Sequence, residues 1–269
     1  MVATPQVYTH GHHESVLRSH RRRTVDNSAG YLRPHLAPGM TLLDLGCGPG
    51  TLTVGLAQRV APGRVTAVEL TDDILRLARR QAAASAQDNI DFHVADVHAL
   101  DLPDAAFDVV HAHQLLQHVA DPVAALREMR RVCRPGGIVA VRDGDFGAFT
   151  WFPLLGELEE WLRLYRNQAR ANGGEPDAGR RLLSWANAAG FTEVTATAST
   201  WCFASPEDKR WWAGTWADRV SRSGLARQLM ASGAATGEDL RRIAAGWRAW
   251  AEAPDAWFAA VHGELRCHR

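Results

Sequence analysis

The feature that most narrows the fold is a ten-residue stretch, Leu42-Leu43-Asp44-Leu45-Gly46-Cys47-Gly48-Pro49-Gly50-Thr51. An apolar run of strand length passes into a glycine turn, and a helical pattern follows at once. Gly46 and Gly48 let the backbone turn sharply and approach a ligand with no Cβ in the way. The surrounding sequence has the same rhythm. Residues 41–45 read as a strand, 52–60 as a helix and 64–70 as a strand. Residues 72–86 read as a helix whose apolar face carries Ile74, Leu75, Leu77 and Ala78. Strands are expected at 90–95, 107–111 and 138–142, with a helix at 123–132. Such alternation gives βαβ units and a parallel sheet covered on both faces. Ala37-Pro38-Gly39 precedes the first strand, and Arg134-Pro135-Gly136-Gly137 breaks the chain before the fifth. The expected class is α/β: a doubly wound, Rossmann-like, mostly parallel sheet of seven strands with a helical lid.

The next landmark is acidic. Glu69 ends the second strand about twenty residues after the turn, where a carboxylate can accept hydrogen bonds from both ribose hydroxyls. Turn and carboxylate together indicate an adenosine-containing cofactor. A dinucleotide fingerprint also wants a small third residue at its sixth position. Here Thr51 stands there, and Gly50 comes one place too early. The third strand ends in Ala95-Asp96-Val97, whose carboxylate can accept from an adenine amino group.

Asp44-x-Gly46-x-Gly48-x-Gly50, then Glu69, then Asp96, resembles the class I S-adenosylmethionine-dependent methyltransferases. Further blocks extend the likeness over most of residues 40–145. Phe107-Asp108-Val109-Val110, with His113-Gln114-Leu115-Leu116-Gln117-His118-Val119 and Asp121-Pro122, is similar to that family's fourth strand and following loop. Leu126-Arg127-Glu128-Met129-Arg130-Arg131-Val132 resembles its next helix. Within the family the chain resembles small-molecule methyltransferases related to quinone-biosynthesis C-methylases. The resemblance implies S-adenosyl-L-methionine as cofactor. It places Gly46, Cys47 and Gly48 beside the methionine portion, with Asp44 supporting the turn or the ammonium group. Glu69 would hold the ribose, Leu70 would cover one adenine face, and Asp96 with the Val97 amide would read the adenine edge. His113 and Gln114 would line the cofactor next to its methyl group, and Tyr8, on an N-terminal segment, could reach it. The rival readings are a nicotinamide oxidoreductase and a member of the fold that binds a cofactor or metabolite without methylating.

Transfer of a methyl group from a sulfonium is an in-line displacement, helped mainly by near-attack geometry in a dry pocket. A general base is needed only when the nucleophile is protonated at neutral pH. The catalytic candidates are His118 and Asp143. His118 follows the fourth strand, as base or as a plain loop hydrogen-bonder. Asp143, with Asp145, follows the fifth, to orient an acceptor or merely solvate a glycine-rich loop. No metal site is expected. His10, His12 and His13 cluster on the N-terminal segment without the further ligands that a catalytic metal needs. The run Arg18, Arg21, Arg22 and Arg23 around His20 reads as a solvated helix face, with an anion clamp as the alternative.

Residues 1–37, polar and rich in His and Arg, carry a helical stretch at 13–36 and are expected to form an N-terminal lid segment. The cofactor-binding core spans 38–205, closing with a helix at 179–189 ended by Gly190 and a long alternating strand at 191–203. Residues 206–250 form a helical insertion that serves as substrate lid, and 251–269 return as the final, antiparallel core strand. All ten tryptophans lie at or after Trp151. Some must be lid core, and any that wall a pocket would suit an aromatic or apolar small-molecule acceptor. The net charge is zero, from 30 basic and 30 acidic residues, which disfavours nucleic acid as a partner. Lys209 is the only lysine. No apolar run spans a membrane, the N-terminus lacks a secretory pattern, and Cys47, Cys133, Cys202 and Cys267 are too scattered for a disulfide framework. A cytoplasmic location is expected.

Overall fold

The computed structural model describes residues 14–269. They form two compact units, each assembled from separate stretches of chain. The first comprises His20–Gly144, Ala178–Ser199 and His262–Arg269; the second comprises residues 14–19, Asp145–Asp177 and Thr200–Val261. Tyr8, His10, His12 and His13 lie outside the described residues.

In chain order the elements are α1 (Glu14–Arg21), α2 (Val25–Ser28), β1 (Leu42–Leu45), α3 (Thr51–Val60), β2 (Val65–Glu69), α4 (Asp72–Ala84), β3 (Ile90–Val94), β4 (Phe107–His113), α5 (Pro122–Val132) and β5 (Cys133–Gly144). They continue with β6 (Thr150–Phe152), α6 (Gly156–Ala171), α7 (Leu182–Ala188), β7 (Glu193–Phe203), α8 (Pro206–Arg222), α9 (Gly224–Ala231), α10 (Gly237–Glu252) and β8 (Trp257–His268). The single helical stretch expected over 13–36 is broken. Thr24 adopts extended angles and its side chain accepts from Asn27 N, while the Asn27 side chain accepts from Thr24 N. That capping box starts a new helix, α2, and satisfies N–H groups that a continuous helix would bond internally.

In the first unit β1 to β5 run parallel in the order β3-β2-β1-β4-β5. β8 pairs antiparallel with β5 from Ile138↔His268 to Gly144↔His262, and β7 pairs with β8. These are the seven expected strands, and β6 adds an eighth to the sheet through β8. Both of its faces are covered, so every residue of β1 is buried. Register rows explain the two cores. Leu43, Val110 and Val139 are partners on one face, packed with Leu126 and Met129 of α5. Leu42, Val109 and Ile138 are partners on the other, packed with Leu52 and Leu56 of α3. The second face changes character along the strands. Two residues on, it carries Asp44 and His111; four on from Val109 and Ile138, it carries the partners His113 and Arg142, followed by Glu264. β5 also begins earlier than its Pro-Gly-Gly break suggests. The ladder pairs Phe107 with Cys133 and resumes at Val109↔Ile138, so Arg134 to Gly137 is accommodated as a bulge.

The second unit is mainly helical; besides the end of β7 and the start of β8 it holds β6, a short strand absent from the sequence expectation, which pairs with the first residues of β8. Its core is aromatic. Trp161, Trp216, Trp247 and Trp250 are fully buried, with the Trp161 ring 4.5 Å from Trp216 and 4.8 Å from Trp247. Gly246 permits the close crossing of α10 on α6, since a Cβ there would lie 2.4 Å from Glu157 Cβ. Thr236 and Asp239 form a capping box at the start of α10. Lys209 is buried on α8, where its Nζ donates to Ala253 O at 2.6 Å. Among the described residues, no helix is long and apolar enough to cross a membrane.

Candidate functional site

The glycine turn has the geometry its composition promised. Gly46, Gly48 and Gly50 all have positive φ, at 67°, 55° and 81°. Gly50 caps α3 and packs so closely on α4 that a Cβ would meet Ala78 at 3.0 Å. Asp44, at the end of the apolar face of β1, braces the turn with both oxygens. Oδ2 accepts from Thr53 Oγ at 2.7 Å, and Oδ1 lies 2.8 Å from His111 Nδ1. This ties β1, α3 and β4 together beneath the loop.

Above the turn lies a recess of about 280 Å³, its solvent-filled mouth included, lined by Asp44, Gly46, Cys47, Leu52 and His113, with His20 and Arg23 from the N-terminal side. His20 Nδ1 would be 3.3 Å from a Cβ at Gly48. Burial, then the charges of Asp44 and Glu69, push the Cys47 thiol far above its usual range, so it stays protonated. Burial, with Arg23 and Arg142 adding to it, holds the His113 imidazole well below its usual value and therefore neutral at pH 7.

Glu69 closes the other side of the turn. Its Oε1 accepts from Gly48 N at 3.3 Å and its Oε2 from Leu70 N at 2.7 Å. Leu70 is 61% exposed, an apolar face turned to solvent. Ala95 N donates to Glu69 O, which brings the end of β3 alongside. There Asp96 accepts from His98 N, and this bond is the main cause of its lowered carboxyl pKa. Val97 beside it is buried. The structure thus arranges Asp44, Gly46, Cys47, Gly48, Glu69, Leu70 and Asp96 along the carboxyl ends of β1, β2 and β3, where open α/β sheets place their ligands.

His118 and Asp143 form a second group, away from the recess lining, and one residue the sequence reading passed over joins them. Gln117 N donates to Asp143 Oδ1 at 3.0 Å. The Gln117 side-chain oxygen accepts from Gly144 N, and its Nε2 lies 2.9 Å from His118 Nε2. Asp143 is fully buried, and burial raises its carboxyl to about 7 against the pull of the Gln117 and Leu116 amides. Asp145 belongs to the second unit, where its N–H donates to Val261 O.

Several polar residues at the site gave no sequence signal of their own. Arg23 contacts Gln114 across 91 positions and His262 contacts Gln114 across 148, so only tertiary structure brings them in. Arg23, read as part of a solvated face, is half-buried in the recess wall. His111 was findable, because it stands two residues before His113 on the same strand face. Arg142, fully buried, bonds Glu264 at 3.1 Å and Ser199 at 3.1 Å; burial lowers its guanidinium to about 10, still charged at neutral pH. The tryptophans take the core place expected for some of them. Six of the ten belong to the aromatic core of the second unit, packed ring against ring.

Residues 36–199 match the family described as a methyltransferase domain. An uncharacterized methyltransferase of Schizosaccharomyces pombe is 34% identical over 269 residues, covering 96% of this chain and 95% of its own length. A ubiquinone/menaquinone biosynthesis C-methyltransferase of Hahella chejuensis is 34% identical over 152 residues, covering 51% of this chain and 59% of its own. Among solved structures, Haemonchus contortus phosphoethanolamine N-methyltransferase 2, in complex with phosphomonomethylethanolamine and S-adenosylhomocysteine, superposes with a TM-score of 0.55 at 17% identity, over 87% of this chain and 49% of that one. At that identity the likeness is one of fold.

Proposed function

Since the chain belongs to the methyltransferase-domain family and takes S-adenosylmethionine as its cofactor, we propose that it methylates a small-molecule acceptor at oxygen, carbon or nitrogen by in-line displacement. The nicotinamide and non-methylating alternatives give way with that assignment. When bound, the cofactor supplies a methyl group on an electron-poor sulfur; the chain's own residues bind, orient and manage protons. The observation that carries the reading is the Glu69 carboxylate set across the glycine turn, bonded to Gly48 N and Leu70 N. A carboxylate is acceptor-only, the chemistry by which Glu69 would hold the two ribose hydroxyls. Leu70 offers an exposed apolar face for adenine, and Asp96 with Val97 N flanks its edge. Gly46, Cys47 and Gly48 hold the methionine portion. Asp44 supports the turn, since both its oxygens are engaged there.

His113 and Gln114 then stand at the end of β4 beside the reacting centre. Asp143, its carboxyl raised to about 7, exchanges a proton readily near neutral pH. We assign the deprotonation of a hydroxyl or carbon acid to His118 or Asp143, both bonded by Gln117. Tyr8, outside the described residues, keeps its proposed place as a cofactor contact. Residues 1–37 and 206–250 are proposed as the lid over the 38–205 core and its final strand at 251–269. Four unpaired cysteines fit a cytoplasmic setting. Incubation with methyl-tritiated cofactor and a fractionated metabolite extract tests the acceptor class. Label is expected in the fraction below 1,000 daltons; label confined to protein or nucleic acid would overturn the proposal.

A further inference from the structure

Gln114 occupies an unusual position. It stands immediately after β4 with a φ of 52°, in the left-handed region that a non-glycine residue enters at a cost. Its N–H donates to Arg142 O at 2.7 Å. The carboxamide is gripped at both ends. Arg23 Nη2 donates to Oε1, and a guanidinium has no acceptor, so that contact fixes which end of the amide is oxygen. Nε2 therefore faces His262 Nε2, at 2.9 Å. An amide nitrogen only donates, so His262 Nε2 is the bare acceptor and the ring proton sits on Nδ1.

His262 is buried, and its ring stacks on His113 with centroids 6.4 Å apart and planes 20° from parallel. On its face of the sheet stand Arg23, reached through Gln114, His113 on β4, Arg142 on β5 and Glu264 on β8 itself. The neighbouring Gln117–His118 pair follows the same logic: Gly144 N fixes the Gln117 oxygen, and Gln117 Nε2 meets His118 Nε2.

We propose that Arg23 and His262 are positioning residues for methyl transfer, locking the Gln114 carboxamide in one orientation at the end of β4, a lock that holds only while His262 Nε2 is unprotonated. Protonation would set two donors face to face, and turning the carboxamide to relieve them would set its nitrogen against Arg23. The lock is therefore released as a unit on the acid side. The inference rests on the reading that Gln114 lines the cofactor.

The test uses the full chain, with histidine labelled in both ring nitrogens, and S-adenosylhomocysteine as probe. At pH 7.5 long-range proton–nitrogen spectra should show His262 as the Nδ1–H tautomer. Gln114→Ala should release it toward the Nε2–H form that free imidazole prefers. Affinity for S-adenosylhomocysteine should fall about tenfold in His262→Ala and in Gln114→Ala, the worth of one hydrogen bond, with no further loss in the double variant. His262→Gln, which keeps an acceptor for the Gln114 amide, should restore affinity and remove its loss at low pH. An unchanged tautomer in Gln114→Ala, additive losses, or no rescue by His262→Gln would each overturn the proposal. Failure of the underlying site reading is distinguishable: Glu69→Ala would then leave S-adenosylhomocysteine binding untouched, whereas the tautomer measurement needs no ligand.

Discussion

The two units bury comparable kinds of surface with opposite chemistry. The helical unit buries rings against rings, with Asp145, Asp177, Lys209 and Arg219 as its buried charged groups; the sheet unit buries Asp44, His111, His113, Arg142, Asp143, His262 and Glu264 beneath 10% exposure. An aromatic core gains from contact area and tolerates little else, because each indole is large and its packing is specific. A polar interior gains only when every group finds a partner or gives up its charge. The sheet unit does both: Arg142 is paired with Glu264, Asp44 with His111 and Thr53, while burial holds His113 neutral and lifts the Asp143 carboxyl to about 7.

That contrast can be broken by substitution. Trp161→Ala should cost about 3–5 kcal/mol of stability, the usual price of emptying an aromatic core site, while S-adenosylhomocysteine affinity of the folded protein stays unchanged. Denaturant melts and calorimetric titration check both halves. Asp143→Asn should act in the reverse sense. The folded-state carboxyl titrates near 7 instead of 3.8, so its ionisation removes stability as pH rises from about 4 through 7. The neutral isostere escapes this loss and should be more stable than the parent at pH 8, on the order of a few kcal/mol, but not at pH 4. Equal melting curves at both pH values would show that the buried carboxyl carries no such strain.

Glu69→Ala should lower S-adenosylhomocysteine affinity by about 1–3 kcal/mol through lost charge-assisted hydrogen bonds, with a smaller change in melting. Unaltered titration would remove Glu69 from the site. The smallest effect is expected at Thr236→Ala, which deletes the capping box of α10 and should cost about 1 kcal/mol, seen as a lower urea midpoint with cofactor binding intact.

The sequence was legible wherever the physics is local. The glycine turn, the acidic strand end at Glu69 and the amphipathic face of α4 each express themselves within one element and its neighbours. The expected core strands and helices accordingly fall within a few residues of the observed ones. What escaped was decided at long range. His262 and Gln114 meet only because β8 returns beside β5, and no spacing rule reports that. Arg23 looked like one of four surface arginines, because the helix expected across it is in fact interrupted at Thr24. The tryptophans were conspicuous in composition, yet counting could not separate a core from a pocket wall.

Lys209 has a practical consequence. The chain's sole lysine lies inside the helical unit with its ammonium on the Ala253 carbonyl. Reagents that seek the lysine amine, whether acylating probes, cross-linkers or modifying enzymes, find it only when that region opens. The rate at which Lys209 is labelled is therefore a one-residue clock for the opening of that region, readable by mass spectrometry of the peptide that carries it, without any engineered reporter.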